Sequence, residues 1–575
     1  MKFIIFASLV TSIVATTCPF GKYECCTECN AVYEDKEGKW GVEENKWCKI
    51  VEEKCMCNHC DVLEVDKIGK WGVQNNKWCI IDEKKCETSD KPSSDPQYAV
   101  NSTLPVLEIT TSSGSSDAID LPTNPYVSDL MSKIIPGYVI PPEPYYEDCS
   151  ITITDGDGKT VINEAKAKVK VRGNFTTNYP KKPLRIKFDE NQSVLGMNND
   201  GKYKNWVLLA SYKDISMIRD TVTLGIAREM FKSEGFYASD TRFVEVTVNG
   251  DYRGIYILAE QQQIAKGRIN GDEVSKDYQG TDISYLLEHD GYANLEDPLN
   301  QIYLGLHQQA PLKGFGSSEE LVPTGGMETP YMTIINDINS EEQRDFIQNF
   351  INGVYDIMYE AAYNDNAYVF NNDYSEITET SEITSQEAVE NVVDVDSLAN
   401  MYIISEIACD ADVAFSSFYM DVDFSKNGLK KLRFEAPWDF DSGLGLKGRC
   451  PNGQGLYAAS IVPSADNSDN KEINPWLSVL IHQEWFQDII REKWNDYYQN
   501  GVFTKAINDV LNNVRSHQSE FDRSYERWDN EEHTLSISFE AIPEIMELKS
   551  QSEQADFVED WLEKRIDFIN DQWQN

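Results

Sequence analysis

Positive charge is what this chain has least of. Against 96 Asp and Glu the 575 residues set only 52 Lys and Arg, a formal net charge of −44. So negative a protein repels nucleic acid and anionic membrane, and neither is expected as a partner. Long apolar runs are missing as well: after the first residues no stretch approaches the length needed to span a bilayer. Cysteine is scarce beyond residue 86, where only Cys149, Cys409 and Cys450 of the 13 occur. The total is odd, which leaves one thiol of these three for a free cysteine.

What is there divides into parts. The length predicts two to four domains, and 41% hydrophobic content is enough for packed cores. Lys2 followed by the apolar run Phe3 to Val14 and the small Ala15 reads as a secretory signal over residues 1–15. That predicts a secreted, extracellular protein, and the other ten cysteines agree, since small extracellular modules are stapled by disulfides. They are Cys18, Cys25, Cys26, Cys29, Cys48, Cys55, Cys57, Cys60, Cys79 and Cys86.

These cysteines belong to an internal repeat. The segment Cys29 to Cys48, containing Gly-Lys-Trp40-Gly-Val and Asn-Lys-Trp47-Cys48, returns 31 residues on as Cys60 to Cys79, with Trp71 and Trp78. Cys26, Cys29, Cys48 and Cys55 map onto Cys57, Cys60, Cys79 and Cys86, and the connectivity is left open by sequence. Each copy is too short for a core of its own, so disulfides must restrict its unfolded chain. Trp40, Trp47, Trp71 and Trp78 cannot all be interior in so small a unit, and exposed aromatics suit recognition. Cys-x-x-Cys occurs in both copies, but an oxidising setting favours disulfides over zinc. The repeat, at 16–55 and 56–87, resembles the fungal-type dockerin, a relative of the family 10 carbohydrate-binding modules found on cargo of anaerobic-fungal cellulosomes. The resemblance implies a cohesin-like receptor on a scaffold protein as partner, with polysaccharide as a further one. Residues 88–103, rich in Ser, Asp, Pro and Lys, read as a linker.

From 104 onward the pattern is α+β, strands first and helices later. Alternating runs at Leu104–Thr111, Ser150–Asp155, Ala167–Arg172 and Leu184–Phe188 read as strands. Two more are joined by the Asn249-Gly250 turn. Helical spacing marks 215–232, 341–363, 395–409 and much of 475–573. The polar, acidic stretch 364–394 reads as an exposed insertion or loop.

Three clusters carry chemistry. Arg172, Lys181, Lys182, Arg185 and Lys187 gather cations in an acidic chain, the mark of a bound anion such as phosphate. Glu260 ends a buried strand, where it can hold a lysine. Asp412 lies between a helix and a strand, with Asp410 as its rival for the role of proton acceptor. After it comes Pro437-Trp438-Asp439-Phe440-Asp441-Ser442-Gly443-Leu444-Gly445. In extended chain an Asp-x-Asp pair points both carboxylates to one side, which suits Mg²⁺ or Mn²⁺.

In order along 104–575, these stretches resemble the CotH kinase family. The carriers are Arg-Gly-Asn-Phe-Thr-Thr-Asn-Tyr-Pro-Lys-Lys-Pro-Leu-Arg-Ile-Lys, Asn205-Trp-Val-Leu-Leu-Ala-Ser-Tyr-Lys-Asp-Ile-Ser-Met-Ile-Arg-Asp, Tyr-Arg-Gly-Ile-Tyr-Ile-Leu-Ala-Glu-Gln, Asp-Ala-Asp-Val-Ala-Phe-Ser-Ser-Phe-Tyr and Pro-Trp-Asp-Phe-Asp-Ser-Gly-Leu-Gly. The resemblance implies an atypical protein-kinase-like body that moves the γ-phosphoryl of ATP to protein Ser/Thr hydroxyls with a divalent cation. Asp439 and Asp441 are then the metal residues and Asp412 the catalytic one. Lys182, Arg185 and Lys187 hold phosphates, Glu260 positions a lysine, and Trp438 stacks on adenine. The chain has neither the usual Gly-rich loop nor His-Arg-Asp, consistent with an atypical member. The alternatives are a non-catalytic CotH-like component of the complex and a carbohydrate-active hydrolase, common among dockerin cargo.

Overall fold

In this computed structural model the residues from 102 to 574 are described apart from 135–137, 272–273, 324–328, 465–469, 530 and 539–540. Before them, only 24–26, 33–35, 38–43, 46–50, 64–65, 70–74 and 77–80 are described. The signal segment and nearly all of the linker lie outside the described residues.

The two repeats fold alike. In the first, Gly38–Glu43 pairs with Lys46–Lys49 so that Val42 faces Trp47 and Gly41 faces Cys48. In the second, Lys70–Gln74 pairs with Lys77–Ile80, with Val73 opposite Trp78 and Gly72 opposite Cys79. Cys26 and Cys48 form a disulfide. Trp40, expected on a docking surface, is buried, and Lys49 Nζ lies 5.1 Å from its ring centroid. The indoles of Trp47, Trp71 and Trp78 lie outside the described residues.

In the long C-terminal unit, seven strands close into a barrel: β1 (Val106–Thr111), β2 (Glu147–Thr154), β3 (Thr160–Val171), β4 (Leu184–Ser193), β5 (Lys202–Leu209), β6 (Thr241–Val248) and β7 (Asp251–Glu260). Their order is β3-β4-β5-β7-β6-β1-β2, closing back onto β3. All pairs are antiparallel except β6 with β1. The β6–β7 hairpin turns at Asn249 and Gly250, both at positive φ, as a two-residue primed turn requires. Alternation decides which side chains go inside. Val169, Val171, Leu184, Ile186, Trp206 and Leu208 fill the barrel, which leaves Lys170 and Arg185, paired across β3 and β4, on its outer face.

Val207, Phe243, Ile255, Ile257 and Ala259 point the other way, into a larger second core. That core holds a four-stranded antiparallel sheet: β8 (Ser284–His289), β9 (Gln301–Ile302), β10 (Met332–Ile334) and β11 (Phe418–Asp423), in the order β9-β10-β8-β11. Around it lie α1 (Arg219–Lys232), α2 (Glu341–Asn364), α3 (Val395–Ala408), α4 (Glu484–Gln499), α5 (Val502–Ser516), α6 (Gln518–Trp528) and α7 (Gln551–Trp573). α2 begins at Ser340, whose side chain accepts from Gln343 N, a cap for one of the unpaired first-turn donors. The architecture is therefore α+β, as the pattern predicted.

The acidic stretch 364–394 corrects the expectation of a loop. Ala367–Phe370 and Ile377–Thr380 form a hairpin, and Ser385–Val392 is a helix with a Thr384/Glu387 capping box. Phe370 stacks on Phe350 of α2 at 5.3 Å, so a few apolar residues anchor a polar segment. No described helix is long and apolar enough to cross a membrane.

Candidate functional site

The tryptophan loop is pinned before it begins and again after it turns. Leu432 and Phe434 are fully buried ahead of it. Beyond the acidic residues, Gly443 packs so closely on α3 that a Cβ there would lie 2.8 Å from the Ala408 carbonyl oxygen. Leu444 N donates to that same oxygen at 2.8 Å. α3 ends because Cys409 adopts φ 46°, in the left-handed region. That reversal aims Asp410 and Asp412 at the loop, and a Cys409–Cys450 disulfide clips it in place. Among the described residues the free cysteine is Cys149, which is buried.

Asp410, Asp412, Ser416, Ser417, Trp438 and Asp439 line one cleft, with an empty volume of ≈ 350 Å³. That figure includes the solvent the cleft opens onto; the enclosed part is only ≈ 20 Å³, far below the room of a preformed ligand site. Asp412 is half-buried at this cleft, and its backbone N–H donates to Asp410 Oδ1 at 2.7 Å. Asp410 is buried, and its Oδ2 accepts no hydrogen bond. Burial and then Asp412 push its carboxyl well above the usual range.

Asp439 and Asp441 do not follow the strand geometry expected of them. Asp439 sits at φ 68°, so side-chain alternation does not apply. Its Oδ2 accepts from Ser417 Oγ at 3.3 Å. Asp441 is buried and meets Lys213, whose Nζ lies 2.9 Å from Oδ1 and donates to Ser442 Oγ at 2.7 Å. Burial raises Asp441 to about 7, Lys213 pulling down and Asp439 pushing up. Asp220, in the first turn of α1, accepts from Phe440 N at 2.8 Å. Its carboxyl is also pushed well above normal by burial, Asp441 and Asp439.

Beside these, Glu288 of β8 accepts from Ser417 N at 3.1 Å and is raised to about 8 by burial and by Asp290. Lys213, Asp220 and Glu288 were missed by sequence reasoning. Lys213 and Asp220 both fall within the Asn205–Asp220 stretch that carried the family resemblance.

The basic side arrives through Trp438. The Arg172 guanidinium lies 5.8 Å from the Trp438 ring centroid. Burial lowers Lys170, and Arg185 and Arg172 lower it further. Arg185 Nε is buried without a hydrogen-bond partner. After burial, the largest influences on Lys170 and Arg185 are other cations or Tyr146, not an adjacent carboxylate. Glu296 and Asp337 offset this charge only as the weakest of these influences on Lys170 and Arg185.

Other predicted residues fall elsewhere. Lys182 is buried, donates to the Thr177 carbonyl, and is lowered to about 8 by burial. Lys181 is likewise buried, lies 4.7 Å from the Tyr256 ring centroid, and falls to about 7. Lys187 is exposed on β4. Glu260 holds an arginine where a lysine was expected: Arg268 Nε donates to it at 3.1 Å, and Asn198 Nδ2 at 2.8 Å. Arg268 in turn stacks 3.9 Å from the Tyr203 ring centroid.

Whether these carboxylates suit a divalent ion turns on the donor set. Among the described residues no three His, Cys, Asp or Glu side chains are already drawn together as a metal cage. Asp410, Asp439 and Asp441 nonetheless offer only oxygen, and Asp410 Oδ2 is a buried acceptor with nothing to accept from. That chemistry fits Mg²⁺ or Mn²⁺, which bind through one or two carboxylates plus phosphate oxygens rather than in all-protein cages.

A barrel joined to a helical body, with an acidic loop meeting a basic strand pair, describes a class. The comparisons with known proteins make it specific. The family model described as CotH kinase protein matches residues 169–569, well over half of the chain, so the chain belongs to that family. A second model, described as a cellulose or protein binding domain, matches residues 17–50 and 55–81. No curated protein matches the chain.

Proposed function

We propose that the chain is a secreted phosphotransferase, docked on a scaffold by its N-terminal modules, that moves the γ-phosphoryl of ATP to Ser or Thr hydroxyls of proteins. One observation carries the reading. Trp438 stands between an acidic cluster with an orphaned acceptor, Asp410 Oδ2, and Arg172, which has the cation Arg185 as a neighbour. Phosphoryl transfer asks for little more than such charge and alignment.

In this reading Asp412, at the cleft, takes the proton of the attacking hydroxyl as its oxygen bonds to phosphorus. The bond from the γ-phosphorus to the bridging oxygen breaks, and ADP leaves. Arg172 and Arg185 hold phosphate oxygens, while Lys182 and Lys187 take no part. Trp438 presents its ring to the base. Asp439 and Asp441, with Asp410, would hold a divalent ion. When bound, that ion neutralises charge on the phosphates. Two modules in tandem raise docking avidity, because the second contact becomes intramolecular.

The test is labelled ATP offered with secreted proteins of the same source to wild type, Asp412→Ala and Asp439→Ala. Transfer by wild type alone supports the roles, and equal labelling by all three removes them. A second reading, a non-catalytic binding component, draws on the small cleft. ATP binding without any label transfer selects it.

A further inference from the structure

Lys213 stands apart from every cation discussed so far, because it lies inside the acidic cluster. It follows β5, and the chain just after it is locked. Asp214 Oδ1 accepts from Ser216 N at 3.1 Å, and Asp214 Oδ2 accepts from Arg219 N at 3.0 Å. Arg219 is fully buried, pairs with Asp214, and donates from Nε to the Gly443 carbonyl at 3.2 Å. The segment carrying Lys213 is therefore tied to the loop carrying Asp441 from both sides of their contact. The lysine and aspartate side chains are each nearly closed to solvent, at 11% and 12% exposure. Lys213 acts on Asp410 as well as on Asp441. One cation thus pairs with Asp441 and acts on Asp410.

We infer that Lys213 is the resident counter-cation of this cluster: it holds Asp441 in position without a divalent ion, opposes that ion's entry, and favours the phosphates of the nucleotide. The inference rests on the proposed nucleotide and metal site and adds a positioning residue to it. Its physical content is a pair of opposite signs. Replacing Lys213 by a neutral side chain removes a positive charge that repels a divalent ion at short range. The same change removes a charge that attracts triphosphate. A lysine that only supported the fold would, once lost, weaken both.

The experiment uses the full chain as wild type, Lys213→Met and Lys213→Arg, at about pH 8.5, above the value near 7 to which Asp441 is raised. Mn²⁺ binding is read by electron paramagnetic resonance without nucleotide, and ATP binding by calorimetry in chelator. Lys213→Met should bind Mn²⁺ at least about tenfold tighter and metal-free ATP several-fold weaker. Lys213→Arg should keep both near wild type. If circular dichroism shows that the Met variant is unfolded, Lys213→Gln takes its place. Affinities that fall together, a Met variant identical to wild type, or a wild type that takes up no Mn²⁺ overturn the inference. Label transfer is followed in parallel. Opposite shifts without transfer refute the phosphotransferase reading alone; transfer with parallel shifts refutes the role of Lys213 alone.

Discussion

Removing the Cys409–Cys450 disulfide tests whether the acidic site is held by covalent restraint or by packing. The bridge joins the residue before Asp410 to a point 41 residues downstream. Both the Asp410/Asp412 turn and the whole tryptophan loop lie inside the circle it closes. Constraining a loop of that length lowers the entropy of the unfolded chain by an amount worth about 4 kcal/mol at room temperature. Cys409 and Cys450 are both buried, so the paired substitution Cys409→Ala/Cys450→Ala exchanges sulfur for small voids, which adds to the loss. The left-handed backbone at Cys409 is as awkward for Ala as for Cys, so that term cancels.

The assay is guanidinium unfolding followed by tryptophan fluorescence, with hydrogen exchange at residues 410–415 and 437–446 as a local readout. The expected result is a lower midpoint together with faster exchange in those two segments, because they are the ones the bridge encloses. An unchanged midpoint and unchanged exchange would refute the reasoning. They would mean that the network of Leu444, Ala408 and Gly443 fixes the site unaided.

The remaining predictions concern charge. Arg219→Met strands a buried Asp214 and frees the Gly443 carbonyl. Breaking a pair buried to 0% and 1% should cost about 3–5 kcal/mol, read as a drop in denaturant midpoint, and Arg219→Lys should recover little of it. The pH dependence follows from Asp441, whose carboxyl is raised from 3.8 to about 7. The folded form then binds more protons than the unfolded one across that window, so the ligand-free protein should lose stability as pH rises from about 4 to 7. Asp441→Asn should flatten this part of the melting-temperature profile, and a slope unchanged by the substitution would contradict the assignment.

Much of this was legible along the chain, and for local reasons. The Asn249-Gly250 turn, the helix 341–363 and the repeat with its paired tryptophans depend on neighbours in sequence, and each appears where the pattern put it. Closure of the barrel was not legible, because it rests on β6 pairing parallel with β1 and on β2 pairing with β3 around a bulge. Nor was the partner of Glu260. A buried strand end must have a cation, but the choice between a lysine and Arg268 is made by a loop folding back.

The tryptophan loop marks the limit most clearly. The residues named from Asp-x-Asp do meet in the site, yet the reason offered for it fails, since Asp439 at φ 68° breaks the strand periodicity on which the reasoning leaned. What brings the carboxylates together is the packing beneath them. Gly443 lies against the end of α3, and Asp220 receives the Phe440 amide. Lys213 stands where charge would otherwise repel. Lys213 lies in a stretch that carried the family resemblance, yet nothing in that stretch marks its charge, so only the fold reveals it as the cation of an acidic pocket. Lys181 and Lys182 carry a motif and are turned into the interior against backbone carbonyls. Charge placed by sequence pattern locates the neighbourhood of a site of this kind; which cation neutralises which acid is settled by the contacts that close the loop.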